Sequence, residues 1–75
     1  MGDGADYRAL RFDRVGDVLR VAIAHPTSEL NTVDGLLHEE LTRLFRDLKR
    51  EPAARAVLLI GRGRAFSAGG DFRWF

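Results

Sequence analysis

The chain has 75 residues, no cysteine, and 12 basic against 11 acidic side chains, for a net charge of +1. This length allows at most one small domain, which buries only about 60% of its unfolded surface. The lack of cysteine excludes disulfides and cysteine-based metal sites, and the balanced charge gives no support to nucleic-acid binding. The apolar runs are far shorter than the ~20 residues of a membrane-spanning helix, and the start lacks a signal-peptide layout. We therefore expect a cytoplasmic protein without a nucleic-acid or membrane partner.

The N-terminal part predicts an antiparallel hairpin. Residues 1–6 are rich in glycine and aspartate and are expected to be disordered, with the domain spanning 7–75. Apolar residues alternate weakly from Tyr7 to Phe12 and clearly from Val18 to Ala24, which is the period of a strand. The glycine turn at 15–17 joins these two segments.

An amphipathic helix is predicted next, with Asn31 or Thr32 as its N-cap and Pro52 as its stop. Glu39 and Arg43, four residues apart, are expected to form an ion pair on its surface, where Glu40 is also placed. The apolar stripe recurs at helical spacing and consists of Leu37, Leu41, Leu44, Phe45 and Leu48.

The run from Ala56 to Ile60 is continuously apolar, as expected for a strand buried on both faces. The order strand, helix, strand predicts a right-handed crossover between parallel strands. One helix and three strands make a thin core, so the chain is expected to be part of a larger structure.

The stretch GRGRAFSAGGDF at 61–72 holds four glycines. A Walker-type phosphate loop needs Gly-Lys followed by a hydroxyl residue, and this region has no lysine. A dinucleotide-binding loop needs a third glycine where Phe66 stands. Both interpretations therefore fail.

Ser67 lies one substitution away from a G-x-S-x-G nucleophile elbow. An elbow serine follows its strand directly, whereas six residues separate Ser67 from Ile60. His25 and His38 both precede Ser67, opposite to the order in α/β-hydrolases, and neither has partners spaced for metal or triad chemistry. A loop hydroxyl that bonds to nearby backbone is the favoured interpretation of Ser67.

Two interpretations of the glycine loop remain. The unshielded N–H groups at 69 and 70, before a helix expected to begin near Asp71, suit the stabilisation of an oxyanion. Alternatively, the glycines serve only the turn between a strand and a helix. Glycine content alone leaves both open.

The segment Gly63–Asp71 resembles the first signature of the enoyl-CoA hydratase/isomerase (crotonase) superfamily. The upstream strand, Pro26, Asn31, the amphipathic helix and the apolar strand follow in the order of that family, so the resemblance covers about 15–75. It implies an α/β fold, the N-terminal part of a crotonase-like ββα spiral: a hairpin, a helix, a buried strand and the start of a second helix.

The resemblance also implies site residues for an acyl-CoA substrate. The Gly70 N–H becomes one of two oxyanion donors to the thioester carbonyl, the carbonyl of Ala68 faces the adenine, and Arg73 lies near the nucleotide. Asp71 is expected mainly as a helix cap and Phe66 as a packing anchor. The implied substrate-binding set is Ala68, Gly69, Gly70, Asp71, Phe72 and Arg73.

This chain departs from the family pattern in two places. It has Asn31-Thr32-Val33 where Asn-Ala-Leu is common, and Glu29 where a basic residue is frequent. A carboxylate there repels CoA phosphates unless it points away.

The resemblance places the second oxyanion donor and the proton-transferring glutamates after Phe75, so the chain reads as part of an active site. We expect an acyl-CoA enzyme that uses no metal and no cofactor beyond the CoA of its substrate. The complete protein is expected to be a homotrimer or hexamer. The alternative is a non-catalytic module that binds CoA weakly or serves only in assembly.

Overall fold

A computed structural model describes residues 6–50 and 55–70 of the chain. Three strands form one sheet with the order β1-β2-β3, and one helix lies between β2 and β3 in the sequence. The elements are β1 (Leu10–Val15), β2 (Val18–Ile23), α1 (Gly35–Leu48) and β3 (Ala56–Gly61).

The predicted hairpin and the predicted parallel pairing of the strands before and after the helix are both confirmed. β1 and β2 pair antiparallel around the two-residue turn at Gly16 and Asp17, with Val15 opposite Val18. Gly16 has a φ of 59°, the left-handed conformation that such a turn requires. β3 pairs with β2 in parallel, so its C-terminal end lies beside the C-terminal end of β2.

The predicted helix is present, but its start differs from the prediction. Asp34, not Asn31 or Thr32, is the N-cap, and its carboxylate accepts a hydrogen bond from the Leu37 amide at 3.0 Å. Its extended backbone (φ −111°, ψ −168°) is the usual N-cap conformation. The predicted ion pair is confirmed, with Arg43 Nε 3.5 Å from Glu39 Oε1.

The core lies between α1 and one face of the sheet. Leu37 and Leu44 of the predicted stripe are buried and Leu41 and Leu48 are partly buried, but Phe45 is 57% exposed, so placing it on the stripe was wrong. It follows Leu44 by 100° around the helix, which carries it off the buried side. The buried apolar residues are Tyr7, Ala9, Leu10, Leu19, Val21, Ala22, Ile23, Leu37 and Leu44.

The prediction that β3 is buried on both faces is wrong for the described structure. β3 is an edge strand of the described sheet, as is β1, and Val57 and Leu58, which point to opposite faces of the strand, are 44% and 49% exposed. Leu59 packs against the core because it shares the helix-facing side with Val21, its partner in the register. Residues 6–50 and 55–70 provide no layer over the face of β3 that holds Leu58, and on the helix-facing side they leave Val57 half exposed, so a continuous apolar run does not ensure burial.

Glu40 was predicted on the helix surface and is instead buried, with 1% of its surface exposed. Its Oε1 accepts hydrogen bonds from the amides of Arg8 and Ala9, at 3.0 and 2.8 Å, and its Oε2 lies 2.8 Å from the Arg8 nitrogen. Arg43 places a guanidinium nitrogen 3.8 Å from Oε2. This carboxylate therefore fastens the segment before β1 to α1.

Tyr7 also connects the segment before β1 to α1. Its hydroxyl donates a 2.6 Å hydrogen bond to Asp47, and the Arg43 guanidinium lies 4.4 Å from the centre of its ring. Burial, followed by the hydrogen bond to Asp47, raises the pKa of Tyr7, so the phenol stays protonated and keeps donating throughout the physiological range.

Some predictions concern residues outside the described part. These are the disorder of 1–5, the helix stop at Pro52, and the second helix that was expected to begin near Asp71. Asp6, which was included in the predicted disordered segment, has a carbonyl that accepts a 2.9 Å hydrogen bond from Arg43.

Candidate functional site

The glycine loop, residues 61–70, follows β3 and folds back on its own start. A Cβ at Gly61 would lie 2.2 Å from the Phe66 Cα and 2.6 Å from the Ala65 carbonyl oxygen. Only glycine allows such close approach of two backbone segments. Gly63 and Gly69, with φ of 88° and 101°, adopt the left-handed conformation. Backbone geometry thus accounts for three of the four glycines and leaves Gly70.

The end of the loop lies alongside residues 30–33. The Ala68 amide donates to the Leu30 carbonyl and the Val33 amide to the Gly69 carbonyl, both at 2.8 Å. Val33 and Gly70 thereby form a parallel β-bridge. Because the Val33 amide bonds to the Gly69 carbonyl in this parallel bridge, the N–H of Gly70 points away from Val33.

The segment between β2 and α1 is held in place by Asn31. This residue is 1% exposed and has a φ of 50°, the one positive value among the non-glycine residues in 6–50 and 55–70. Its side chain bonds to the amide of His25, just beyond β2, and to carbonyls of the glycine loop, so it connects the two parts of the site.

Ser67 bonds to backbone, as its favoured interpretation predicted. Its hydroxyl donates to the Asn31 carbonyl at 2.8 Å and accepts from the Gly69 amide at 3.3 Å. Both ring nitrogens of His25 are occupied, Nε2 by Asp34 and Nδ1 by the Thr27 amide, so His25 has no nitrogen left to take a proton from Ser67.

Replacing Ser67 with alanine is therefore expected to change turnover of an acyl-CoA by about fivefold or less, because its neutral hydrogen bond to the Asn31 carbonyl contributes about 1 kcal/mol, a factor of about five. Steady-state kinetics of the full-length gene product with crotonyl-CoA measure this. A nucleophilic serine would instead cost roughly a million-fold in kcat, and a loss of that size would contradict the assignment.

The pairing of His25 with Asp34 was missed from the sequence. The His25 side chain is 2% exposed, and its Nε2 lies 2.8 Å from Asp34 Oδ2. Nδ1 accepts from the Thr27 amide at 3.1 Å, which leaves Nε2 as the donor to the carboxylate. Burial alone raises the pKa of Asp34, but hydrogen bonds from the Leu37 amide and the His25 ring hold that pKa below its usual value.

A cleft of about 310 Å³ opens beside this network. At its rim Arg64 and Glu29, both exposed, form an ion pair at 3.2 Å. The charge of Glu29 is therefore compensated by Arg64, which reduces the repulsion predicted for CoA phosphates. The cleft is lined by Ala24, His25, Ser28, Glu29, Asn31, Arg62, Gly63 and Arg64.

The structure brings Ala68, Gly69 and Gly70 together beside residues 30–33, whereas Asp71, Phe72 and Arg73 lie outside the described residues. Phe66 was predicted as a packing anchor and is 53% exposed. That prediction is wrong for the described part, because the loop presses the backbone of Phe66, not its ring, against Gly61.

Residues 6–50 and 55–70 contain neither a metal-binding cluster nor a membrane-spanning helix. No group of three or more His, Cys, Asp or Glu side chains has the arrangement to hold a metal ion. No helix in that part of the chain has the length and apolar character to cross a membrane.

Comparison with known proteins gives consistent results. Residues 13–74 match the model of the enoyl-CoA hydratase/isomerase family. Over 53 residues the chain is 36% identical to "Probable 3-hydroxyisobutyryl-CoA hydrolase 3" of Arabidopsis thaliana. The aligned residues make up 71% of this chain and 14% of that protein.

Solved structures share the fold. An enoyl-CoA hydratase/isomerase from Mycobacterium paratuberculosis superimposes with a TM-score of 0.77 at 38% identity, over 92% of this chain and 28% of that one. An enoyl-CoA hydratase from Shewanella pealeana gives a TM-score of 0.78 at 25% identity, over 92% and 26%. The chain thus spans about a quarter of the length of these structures. With its motif, its fold and most of its length matched, the chain belongs to the enoyl-CoA hydratase/isomerase (crotonase) family and forms an N-terminal portion of its fold.

Proposed function

We propose that this chain provides half of an acyl-CoA site, in which the backbone N–H of Gly70 stabilises the negative charge that develops on a thioester oxygen. One observation carries the proposal. The bridge to Val33 uses the carbonyl of Gly69 and turns the Gly70 N–H away. A donor held rigidly in this way is effective because it needs no reorganisation as charge develops.

The arrangement suits more than one reaction of the family. Hydration of an enoyl-CoA passes through an enolate whose charge lies on the thioester oxygen, and thioester hydrolysis places charge on the same oxygen. The matched relatives carry names of both kinds, hydratase/isomerase and 3-hydroxyisobutyryl-CoA hydrolase. We propose enoyl-CoA hydration or isomerisation as the chemistry of the complete protein, with Ala68 and Gly69 beside the ligand.

Acetoacetyl-CoA tests the proposal, because its enolate carries charge on the thioester oxygen and absorbs in the ultraviolet. We expect the full-length gene product to raise the enolate fraction of bound acetoacetyl-CoA above its value in solution at the same pH. Free CoA, which has no carbonyl at the sulfur, is the control ligand and is expected to bind more weakly. Binding without any rise in enolate would contradict an oxyanion-stabilising role.

The alternative is a non-catalytic module. The exposed ion pair of Glu29 with Arg64 favours it, because Arg64 is then partly occupied instead of being free for CoA phosphates. Crotonyl-CoA turnover separates the two functions. We expect turnover by the full-length gene product and none by residues 1–75 alone, because the family resemblance places the proton-transferring glutamates after Phe75. The homo-oligomeric state, the cytoplasmic location and the absence of a further cofactor stay predictions.

A further inference from the structure

Asn31 is unusual because all its polar groups are bonded inside the protein. Asparagine is mostly exposed in folded proteins, yet this residue is 1% exposed. Its backbone N–H donates to the Ser28 carbonyl at 3.1 Å, and its backbone carbonyl accepts from the Ser67 hydroxyl at 2.8 Å. A buried polar residue is retained at low cost only when such hydrogen bonds replace those to water.

The side chain joins two segments that are far apart in the sequence. Its Oδ1 accepts from the amide of His25 at 2.9 Å, just beyond β2. Its Nδ2 donates to the carbonyls of Ala65 and Phe66 at 2.9 and 3.1 Å, with a longer contact of 3.4 Å to that of Arg62. One planar amide therefore sets the distance between the end of β2 and the turn of the glycine loop.

Both sides of this connection are themselves fixed. On one side, the ring of His25 bonds to the N-cap Asp34, which ties the segment to the start of α1. On the other, the Ser67 hydroxyl bonded to the Asn31 carbonyl also accepts from the amide of Gly69. Gly69, which precedes the proposed oxyanion donor Gly70, is thus connected to Asn31 by two hydrogen bonds that share the Ser67 hydroxyl.

We infer that Asn31 is a positioning residue for the Gly70 N–H, acting through the carbonyls of Ala65 and Phe66. The inference rests on the proposed function of Gly70. Without the side-chain amide, these part-buried carbonyls lose their donor and the loop shifts to find another. A shift of about 1 Å in a catalytic group costs on the order of 100-fold in rate, while contacts to the distant CoA moiety change little.

The test replaces Asn31 with glycine, which keeps the left-handed conformation and removes only the side chain. At saturating acetoacetyl-CoA, the full-length Asn31→Gly protein is expected to lose tenfold or more in the ratio of bound enolate to bound keto form. Its Kd for free CoA is expected to stay within about threefold of the unchanged protein. Thr42→Ala is the control, because it removes an exposed side-chain hydrogen bond to the His38 carbonyl and should change neither quantity.

An unchanged enolate ratio in Asn31→Gly, or an equal loss in enolate ratio and free-CoA affinity, would overturn the inference. If the glycine variant does not fold, Asn31→Asp is measured in the same way, since it keeps the acceptor for His25 and replaces the donor to the loop. If the unchanged protein forms no extra enolate, the proposed function fails. If it does form extra enolate but both Asn31 variants retain it, only the role of Asn31 fails.

Discussion

Replacing Gly70 with proline is expected to lower acyl-CoA turnover by roughly 100- to 1,000-fold, because it removes an oxyanion donor worth about 2.7–4 kcal/mol of transition-state stabilisation. The loop glycines with a positive φ are Gly63 and Gly69, so the substitution leaves both of these left-handed positions unchanged. The bridge survives, because it uses the Val33 amide and the Gly69 carbonyl.

The control for this prediction is Gly70→Ala, which adds a methyl group and keeps the N–H. We expect kcat to fall severely in the proline variant and mildly in the alanine variant, with the Kd for free CoA within about threefold in both. Steady-state kinetics and calorimetric titration of the full-length gene product give these values. Equal losses in the two variants would show that the side-chain space, not the N–H, matters at this position.

Replacing Glu40 with glutamine is expected to lower the free energy of unfolding by about 3 kcal/mol, more than any other substitution proposed here. The buried carboxylate accepts from the amides of Arg8 and Ala9, and hydrogen bonds to a charged group contribute about 1.5–3 kcal/mol each. A glutamine presents an NH2 group to one of these donors, so a buried donor is left without an acceptor. In a domain of this size, 3 kcal/mol lowers Tm by more than about 10 °C.

Glu39→Gln is the matched control, because Glu39 precedes Glu40 on the same helix and its side chain is 61% exposed. Its ion pair with Arg43 lies at the surface, where such pairs contribute only about 0–1 kcal/mol. Urea unfolding followed by circular dichroism measures both variants. Similar losses in the two would show that the hydrogen bonds of Glu40 to the chain before β1 do not stabilise the fold.

Much of the fold was predictable because it depends on local patterns. Alternation and a glycine turn indicated the hairpin, and helical spacing of Leu37 and Leu44 indicated α1, since each pattern places side chains on one face regardless of the rest of the chain. The signature at 63–71 indicated the family, and the resemblance made Gly70 the candidate oxyanion donor. The glycines at 61, 63 and 69 were visible as a group, although the separate reason for each required the backbone geometry.

Other features appeared only once the elements had packed together. The burial of Glu40, the pairing of His25 with Asp34 and the hydrogen bonds of Asn31 to the glycine loop have no periodic signal. Hydrogen bonds that join residues 31 to 35 positions apart depend on how β2, α1 and β3 are arranged in space. The sequence by itself thus determined the elements, their order and the family, because these follow from side-chain periodicity and a continuous motif. Tertiary packing decided which polar groups lose contact with water and must therefore bond to one another. Asn31 is one of these groups, and its hydrogen bonds to the glycine loop are what we infer to position the Gly70 N–H.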